Sequence, residues 1–474
     1  MGSRKSRLSR RAFLGTAAGS AALGLLRPAA SFARPAPESE ILRDYVGRIC
    51  YNENPLGPSP LAMAAMTDEL AMGHRYSDWY AESLRNDLSE LHEIPAGQII
   101  AGCGATEILR LAAFAFAQPG KNVVTPYPSY GQFSGDSEMM GSGVRHSGLD
   151  EDFRIDLADM LSTVDMNTTA VCITNPNNPT ATPLAAADIA AFVDALPPEV
   201  AVIIDEAYHE FVQDPGYESA IELVRQTKNV VVIRTFSKAH GLAGVRIGYG
   251  VGRGNLIGDM RAWLSWGTVS RPALAAARAA LTDAQHIADS VTHALAAKQY
   301  CFTELDAMGV SYIPSETNFF MVDVGDGPAV LQELAGRGIN VRAGWGMSDY
   351  IRVSVGTMDE MEDFITALGE ILEQGVERSA PPKVTALEGN LPNPFRAATH
   401  VAYALHRPAH VRVEVFDLRG RLVRTCVDAQ QGPGRYGFDW NGTDRRGAPV
   451  AAGSYFYRLS AGDVVQTRRM ILTR

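Results

Sequence analysis

The sequence predicts an α/β body built on a mostly parallel sheet, followed by a small all-β sandwich. Three observations carry this. Ala170-Val171-Cys172-Ile173-Thr174, Ala201-Val202-Ile203-Ile204 and Val230-Val231-Val232-Ile233 are continuous, β-branched apolar runs, the pattern of strands covered on both faces. Each run passes into a polar or turn-forming segment: Asn175-Pro176-Asn177-Asn178-Pro179-Thr180, Asp205-Glu206-Ala207-Tyr208 and Thr235-Phe236-Ser237-Lys238. From Leu387 onward the pattern changes to short alternating runs separated by turns, the sign of a small antiparallel sandwich.

The chain opens on a segment set apart from the fold. Ser9-Arg10-Arg11-Ala12-Phe13-Leu14 fits a twin-arginine export signal, Ala17 to Leu26 is apolar and small, and Ser31-Phe32-Ala33 offers a cleavage site. Residues 1–33 are therefore read as a signal peptide, and export to the periplasm or cell surface is expected. That route carries folded proteins. The body spans 34–378, with a large domain at about 72–275 and a small domain from 34–71 and 276–378. Arg378 to Lys383 reads as linker, assigned to 379–386, and the sandwich fills 387–474. Its alternating runs are Val401–Leu405, Val411–Phe416, Tyr436–Trp440 and Tyr455–Leu459, with turns at Asp417-Leu418-Arg419-Gly420 and Asn441-Gly442-Thr443-Asp444.

Composition limits the functional classes. At 474 residues and 46% hydrophobic, the chain is large enough for two or three domains. No run of eighteen apolar residues appears, so no ordinary membrane span is expected. The five cysteines are odd in number, scattered and without a CxxC pair, which points to neither a zinc site nor a disulfide framework. The sandwich carries a net charge of +6, residues 1–33 another +6, and the chain as a whole −10, which leaves −22 on the body. Such a body argues against nucleic-acid binding, while the basic end module suits an anionic envelope surface.

The chemistry concentrates after the three strands. A lysine that follows a buried strand is desolvated, so its pKa falls and its amine can attack a carbonyl. Lys238 is such a residue, Ser237 beside it can donate to a phosphate, and Arg246 supplies a forked charged donor. A carbonyl and a phosphate on one small molecule suggest pyridoxal 5'-phosphate. Asp205 ends its strand where open α/β sheets hold ligands, and there it can keep a pyridine nitrogen protonated. Tyr208 and an amide from the Asn175–Thr180 turn are placed to reach the ring oxygen.

The ordered motifs NENPLGP, HRY, a glycine turn, NPNNPT, DEAYHEF, RTFSKAHGLAGVRIGY, PSETNFF and IRVSVGT resemble the fold-type-I pyridoxal-phosphate aminotransferases, and within them the histidinol-phosphate aminotransferases, over roughly residues 45 to 375. The resemblance implies that Lys238 binds the cofactor aldehyde and later moves the α-proton. Asp205 would pair with the ring nitrogen, Tyr208 and Asn178 would hold the ring oxygen, and Ser237 and Arg246 would grip the phosphate with the amides of Gly104, Ala105 and Thr106. Phe133 falls where the family carries the ring that stacks on the cofactor, with Tyr130 as second choice. Tyr76 matches a tyrosine that reaches the neighbouring subunit, which implies a homodimer. Arg352 would clamp the substrate carboxylate, Asn54 and Asn318 would line the substrate side, and Arg342 would be a second substrate-facing arginine. The implied reaction moves an amino group from an amino acid or amine to a 2-oxo acid such as 2-oxoglutarate.

Two departures bear on the substrate. Ala181 stands where the family usually has glycine, removing freedom at that turn. Around Trp263 to Pro272 the family's Pro-Tyr-Asn pattern is missing, and Trp263 and Trp266 either shape an apolar pocket or simply pack. Export also sits badly with a histidine-biosynthetic role, which favours another amino donor. A lyase or decarboxylase on the same fold, and an exported non-catalytic binding protein, are the rival readings. A dinucleotide fingerprint, a zinc-protease helix and a G-x-S-x-G elbow are not formed. The C-terminal motifs, from Asn390-Leu391-Pro392-Asn393-Pro394-Phe395 to Ala452-Gly453-Ser454-Tyr455, resemble flagellar-hook-cap-like immunoglobulin-like domains, some of which are sorting tags for surface secretion.

Overall fold

The computed structural model describes residues 47–77, 81–226, 228–373, 384–391, 393–396, 398–407, 409–431 and 434–473. The segment expected to be a signal peptide and most of the expected linker lie outside the described residues. Seven strands form the central sheet: β1 Ile99–Gly102, β2 Asn122–Pro126, β3 Gly143–Ser147, β4 Thr168–Thr174, β5 Ala201–Asp205, β6 Val230–Thr235 and β7 Gly248–Gly252. Their order is β1-β7-β6-β5-β4-β2-β3. The pairs from β6 through β3 are parallel, and β7 runs antiparallel to both its neighbours. The three apolar runs are β4, β5 and β6, buried along nearly their whole length as two-sided strands must be.

Register sets the site. Thr174 pairs with Asp205, and Asp205 with Ile233, so the carboxyl ends of β4, β5 and β6 finish side by side. The three polar segments that follow them share one edge of the sheet, the position where such sheets hold ligands. Helices pack on both faces and separate the core into two layers, one around Val202, Ile204, Val230 and Val232 and the other around Ile203, Val231 and Ile233.

The smaller unit has its own antiparallel sheet, β8 Tyr312–Ile313, β9 Phe319–Asp323, β10 Arg342–Gly344 and β11 Met347–Ser354, in the order β10-β11-β9-β8. Helices Ala284–Met308 and Met358–Glu373 cover it over a core that includes Phe319, Phe320, Ile351, Phe364 and Leu368. Ile49 joins this core, and Ile49 O accepts from Ser354 N at 2.9 Å. The expected boundary needs one correction. Helix Pro60–Leu70, placed with the small domain, packs on helix Arg271–Leu281 and buries Ala62 in the large-domain core, with Met66 partly buried against the same core.

The sandwich pairs a sheet of β12 Ala386–Leu391, β13 Thr399–Leu405 and β16 Gly434–Trp440 with one of β14 Ala409–Phe416, β15 Leu422–Gln431, β17 Gly453–Ala461 and β18 Val464–Leu472. Alternation turns Val411, Val413, Val415, Tyr457 and Leu459 inward onto Trp440 and Tyr403. Gly420, at φ 73°, closes the Asp417 turn by donating to Asp417 O at 3.0 Å.

Candidate active site

Lys238 reaches into a cleft of about 1690 Å³ that is also lined by Asn178, Asp205, Tyr208, Ser237, Arg246 and Arg352. Its Nζ donates to Tyr51 O at 3.1 Å and Asn52 O at 3.0 Å, and lies 5.7 Å from the Tyr208 ring centroid. Burial is the main cause that brings its pKa down to about 8, with Arg352 adding to the effect. A substantial fraction of the amine is therefore neutral near pH 8.

Asp205, 3% exposed, accepts from Ala207 N at 3.2 Å. Burial pushes its carboxyl up to about 7, against the lowering effects of that bond and of Lys238. An acid in this state is satisfied best by a cationic N–H partner in the cleft. Tyr208 is raised to about 12, chiefly by burial, so its phenol is a neutral donor at ordinary pH. Its Oη accepts from Asn52 Nδ2 at 3.0 Å and Asn178 Nδ2 at 3.4 Å, which leaves the phenolic proton to be offered elsewhere.

An anion cradle lies beside these groups. Arg246 Nη1 is 3.5 Å from Ser237 Oγ, and Ser237 Oγ accepts from Thr235 Oγ1 at 2.9 Å. Arg246 itself sits at φ 61°, a left-handed conformation that a non-glycine residue adopts only under the constraint of its surroundings. Gly104 sits at φ 81°, a left-handed conformation that favours glycine, and a Cβ there would also displace Arg246 Nη2, 2.3 Å away. Ala105 and Thr106 line the cleft at the start of helix Ala105–Phe116, which has no side-chain cap.

The small unit supplies the opposite wall. Arg352, 3% exposed, donates from Nη1 to Asn178 Oδ1 at 2.6 Å and from Nη2 to Cys50 O at 2.8 Å. Its Nε is buried without a partner. Arg342 lies opposite Arg352 in the β10–β11 register and lines the cleft within 5.7 Å of the Tyr51 ring.

Several expectations change. Phe133 is not a cleft residue: it is 1% exposed and packed in the large-domain core with Ile108 and Leu109, because its helix turns it toward the sheet. Tyr130 lines the cleft instead. Asn54 does not line it either. Its Nδ2 ties Ala239 O at 2.9 Å and Ser290 Oγ at 2.8 Å, a clamp between segments. Asn318 works from behind, donating to Asn52 O at 3.1 Å and Glu53 O at 3.2 Å, and so holds the carbonyl that Lys238 uses. Tyr76 is 74% exposed against Trp266, with ring centroids 4.5 Å apart, and neither it nor Trp263 and Trp266 lines this cleft. Ala181 adopts φ 64° regardless of its Cβ, so the turn keeps its left-handed form.

Asn52, Tyr51 and Trp345 also line the cleft, although no local sequence signal singles out the last two. Asn52 was legible as one of two asparagines in Asn52-Glu53-Asn54, and its φ of 55° suits asparagine. Trp345, flanked by Gly344 and Gly346, stacks on Arg352 at 4.9 Å.

Known proteins agree with this geometry. Residues 46–368 match the family aminotransferase class I and II, and residues 395–463 the FlgD Ig-like domain. Among similar chains, a histidinol-phosphate aminotransferase of Symbiobacterium thermophilum is 37% identical, over 70% of this chain and 92% of its own length. One from Akkermansia muciniphila is 36% identical, over 69% and 90%. The crystal structure of a histidinol-phosphate aminotransferase from Sinorhizobium meliloti in complex with pyridoxal-5'-phosphate superposes with TM-score 0.67 at 26% identity, covering 74% of this chain and 99% of that one. This chain therefore belongs to the class I and II aminotransferases and carries a FlgD Ig-like domain behind its catalytic body.

Proposed function

We propose that the enzyme moves an amino group from an amino acid or amine to a 2-oxo acid such as 2-oxoglutarate, using pyridoxal 5'-phosphate held by Lys238. The observation that carries this is the meeting, in one cleft, of a lysine brought down to about pH 8, an acid that wants a cationic partner and a glycine-backed anion cradle. These residues fit the cofactor. Lys238 would hold its aldehyde carbon, Asp205 its ring nitrogen, Tyr208 and Asn178 its ring oxygen, and Ser237, Arg246, Ala105 and Thr106 its phosphate, with Tyr130 against the ring. When bound, the cofactor supplies an electron sink and a temporary carrier for the amino group.

The chain's own residues do the rest. Lys238 Nζ, its pKa brought down to about 8, would be partly neutral and placed to take the proton from the carbon that bears the amino group. The unpartnered Arg352 Nε offers a donor to the substrate carboxylate, and Arg342 faces the cleft as a second cation. Asn318 and Asn54 hold the segment that carries Asn52. The donor resembles histidinol phosphate only to the extent that the relatives do, and we place this enzyme with another amino acid or amine.

We further propose a homodimer in which Tyr76 reaches the partner site, and export by the twin-arginine route, supported by Arg10-Arg11 and the apolar stretch after them. Contact of the basic sandwich with an anionic envelope surface belongs to the same reading. The test is a panel of amino donors with 2-oxoglutarate. Glutamate formed only with the cofactor and the oxo acid supports transamination. Product formed without an oxo acid points to a lyase or decarboxylase, and failure to take up cofactor points to a binding protein.

A further inference from the structure

The cleft around Lys238 does not stop at the groups described. Its wall runs along helix Gln132–Met139, past Gly135 and Glu138, and on to Lys121 and the sandwich. Eight residues of helix span about 12 Å, so the outer part lies roughly that far beyond Tyr130. The whole, about 1690 Å³, exceeds the roughly 300–1,000 Å³ of an ordinary small-molecule site.

The sandwich supplies the far wall with Arg396, Arg424 and Arg446. They come from three separate segments: the chain before β13, strand β15 and the loop between β16 and β17. Arg396 and Arg446 are exposed, and Arg424 donates to Thr443 Oγ1 at 2.5 Å. The sandwich also comes close to the large domain beside the small-unit hairpin. Asp439 acts on the Tyr127 phenol, and that phenol lies so close to Gly346 of the small-unit hairpin that a Cβ there would be 3.2 Å from Tyr127 Oη. An appended domain that merely followed the catalytic body would not share its cleft.

We infer that the sandwich is the outer wall of the substrate site, and that Arg396, Arg424 and Arg446 recognise an amino donor with an acidic tail. The amino-acid head of that donor reaches Lys238, and carboxylates spaced along the tail meet the guanidinium forks. Three separated forks suit several carboxylates better than one compact anion. The inference rests on the aminotransferase reading of the inner site and adds the substrate class.

The test uses the full-length, cofactor-loaded enzyme and three donors, glutamate, γ-glutamyl-glutamyl-glutamate and γ-glutamyl-lysyl-lysine, each followed by the cofactor's absorbance change in the donor half-reaction, because glutamate with 2-oxoglutarate gives no net product. Glutamate must donate if 2-oxoglutarate accepts. The wild type should show a KM for the acidic tail about tenfold below that for glutamate, and the advantage should shrink as salt rises. The double variant Arg396→Glu/Arg446→Glu leaves Arg424 and its bond in place. It should raise the KM for the acidic tail about tenfold, improve use of the lysine tail and change glutamate less than twofold, with an unchanged melting temperature. Equal use of all three donors by the wild type, or equal effects of the double variant on both tails, would overturn the inference while leaving transamination standing. No turnover with any of the three donors would overturn the inference, while the aminotransferase reading would be decided separately by the wider donor panel.

Discussion

Arg352 Nη1 donates to Asn178 Oδ1 at 2.6 Å, joining the small unit to the loop after β4. The bond also decides which way the Asn178 amide faces. With Oδ1 held by the arginine, Nδ2 is turned toward Tyr208 Oη at 3.4 Å. One guanidinium therefore holds the Cys50 carbonyl at 2.8 Å and also orients the amide that faces Tyr208.

Arg352→Lys keeps the charge but loses the fork. The KM for donors bearing a carboxylate should rise at least about tenfold, while amines lacking one change little. Parallel steady-state measurements on a carboxylate donor and its decarboxylated analogue check this. An equal loss on both would place Arg352 in a purely structural role.

The pKa of Lys238, lowered to about 8 by burial and Arg352, gives a pH dependence. Below that value the amine is protonated and cannot attack an aldehyde. Uptake of pyridoxal phosphate by the apo-protein should therefore accelerate with pH and level off above about 8, far below the ordinary lysine range. The linked stability has a definite sign. Between about 8 and the ordinary lysine value the unfolded lysine holds a proton that the folded one has released, so apo-protein stability from this group rises with pH across that window. Uptake that kept accelerating to pH 10 would contradict the assignment.

Tyr130 and Phe133 should separate cleanly. Tyr130→Ala should weaken cofactor binding, followed by fluorescence titration, with little effect on the rest of the fold. Phe133→Leu should leave cofactor affinity intact and lower stability by about 1 kcal/mol, because leucine fills less of the space against Ile108 and Leu109. The reverse pattern would restore Phe133 as the stacking ring.

Beneath the site, Glu206 accepts from Arg234 Nη2 at 2.9 Å, Ser219 Oγ at 2.8 Å and Ala220 N at 2.7 Å, all in a buried setting. Removing one partner of such a pair costs about 3–5 kcal/mol, because the other charge is stranded. Glu206→Ala should lower the melting temperature sharply, and Glu206→Ala/Arg234→Met should recover part of the loss. A shift of under about 1 kcal/mol in the single variant would show the pair to be dispensable.

The parallel sheet was legible because two-sided burial writes uninterrupted apolar runs, and the ligand edge was legible because Asp205, Ser237 and Lys238 end such runs. What stayed hidden depended on side-chain direction or on pairing across the fold. Phe133 and Tyr130 lie three residues apart, and only the setting of helix Gln132–Met139 shows which one faces the cleft. Asn52 and Asn54 were indistinguishable until Ser354 and Tyr208 were seen to engage the first, and Ala239 and Ser290 the second. Strand β15 escaped notice because two register shifts against β14 break its alternation. The shared wall between sandwich and cleft has no local sequence signature, since Arg396, Arg424 and Arg446 converge only through tertiary packing.

The most direct measurement is borohydride reduction of the cofactor-loaded protein followed by peptide mapping. The pyridoxyl label should fall on Lys238 alone, and a Lys238→Ala protein should fold, take no label and turn nothing over. Label on another lysine, or undiminished turnover in that variant, would contradict the account at its centre.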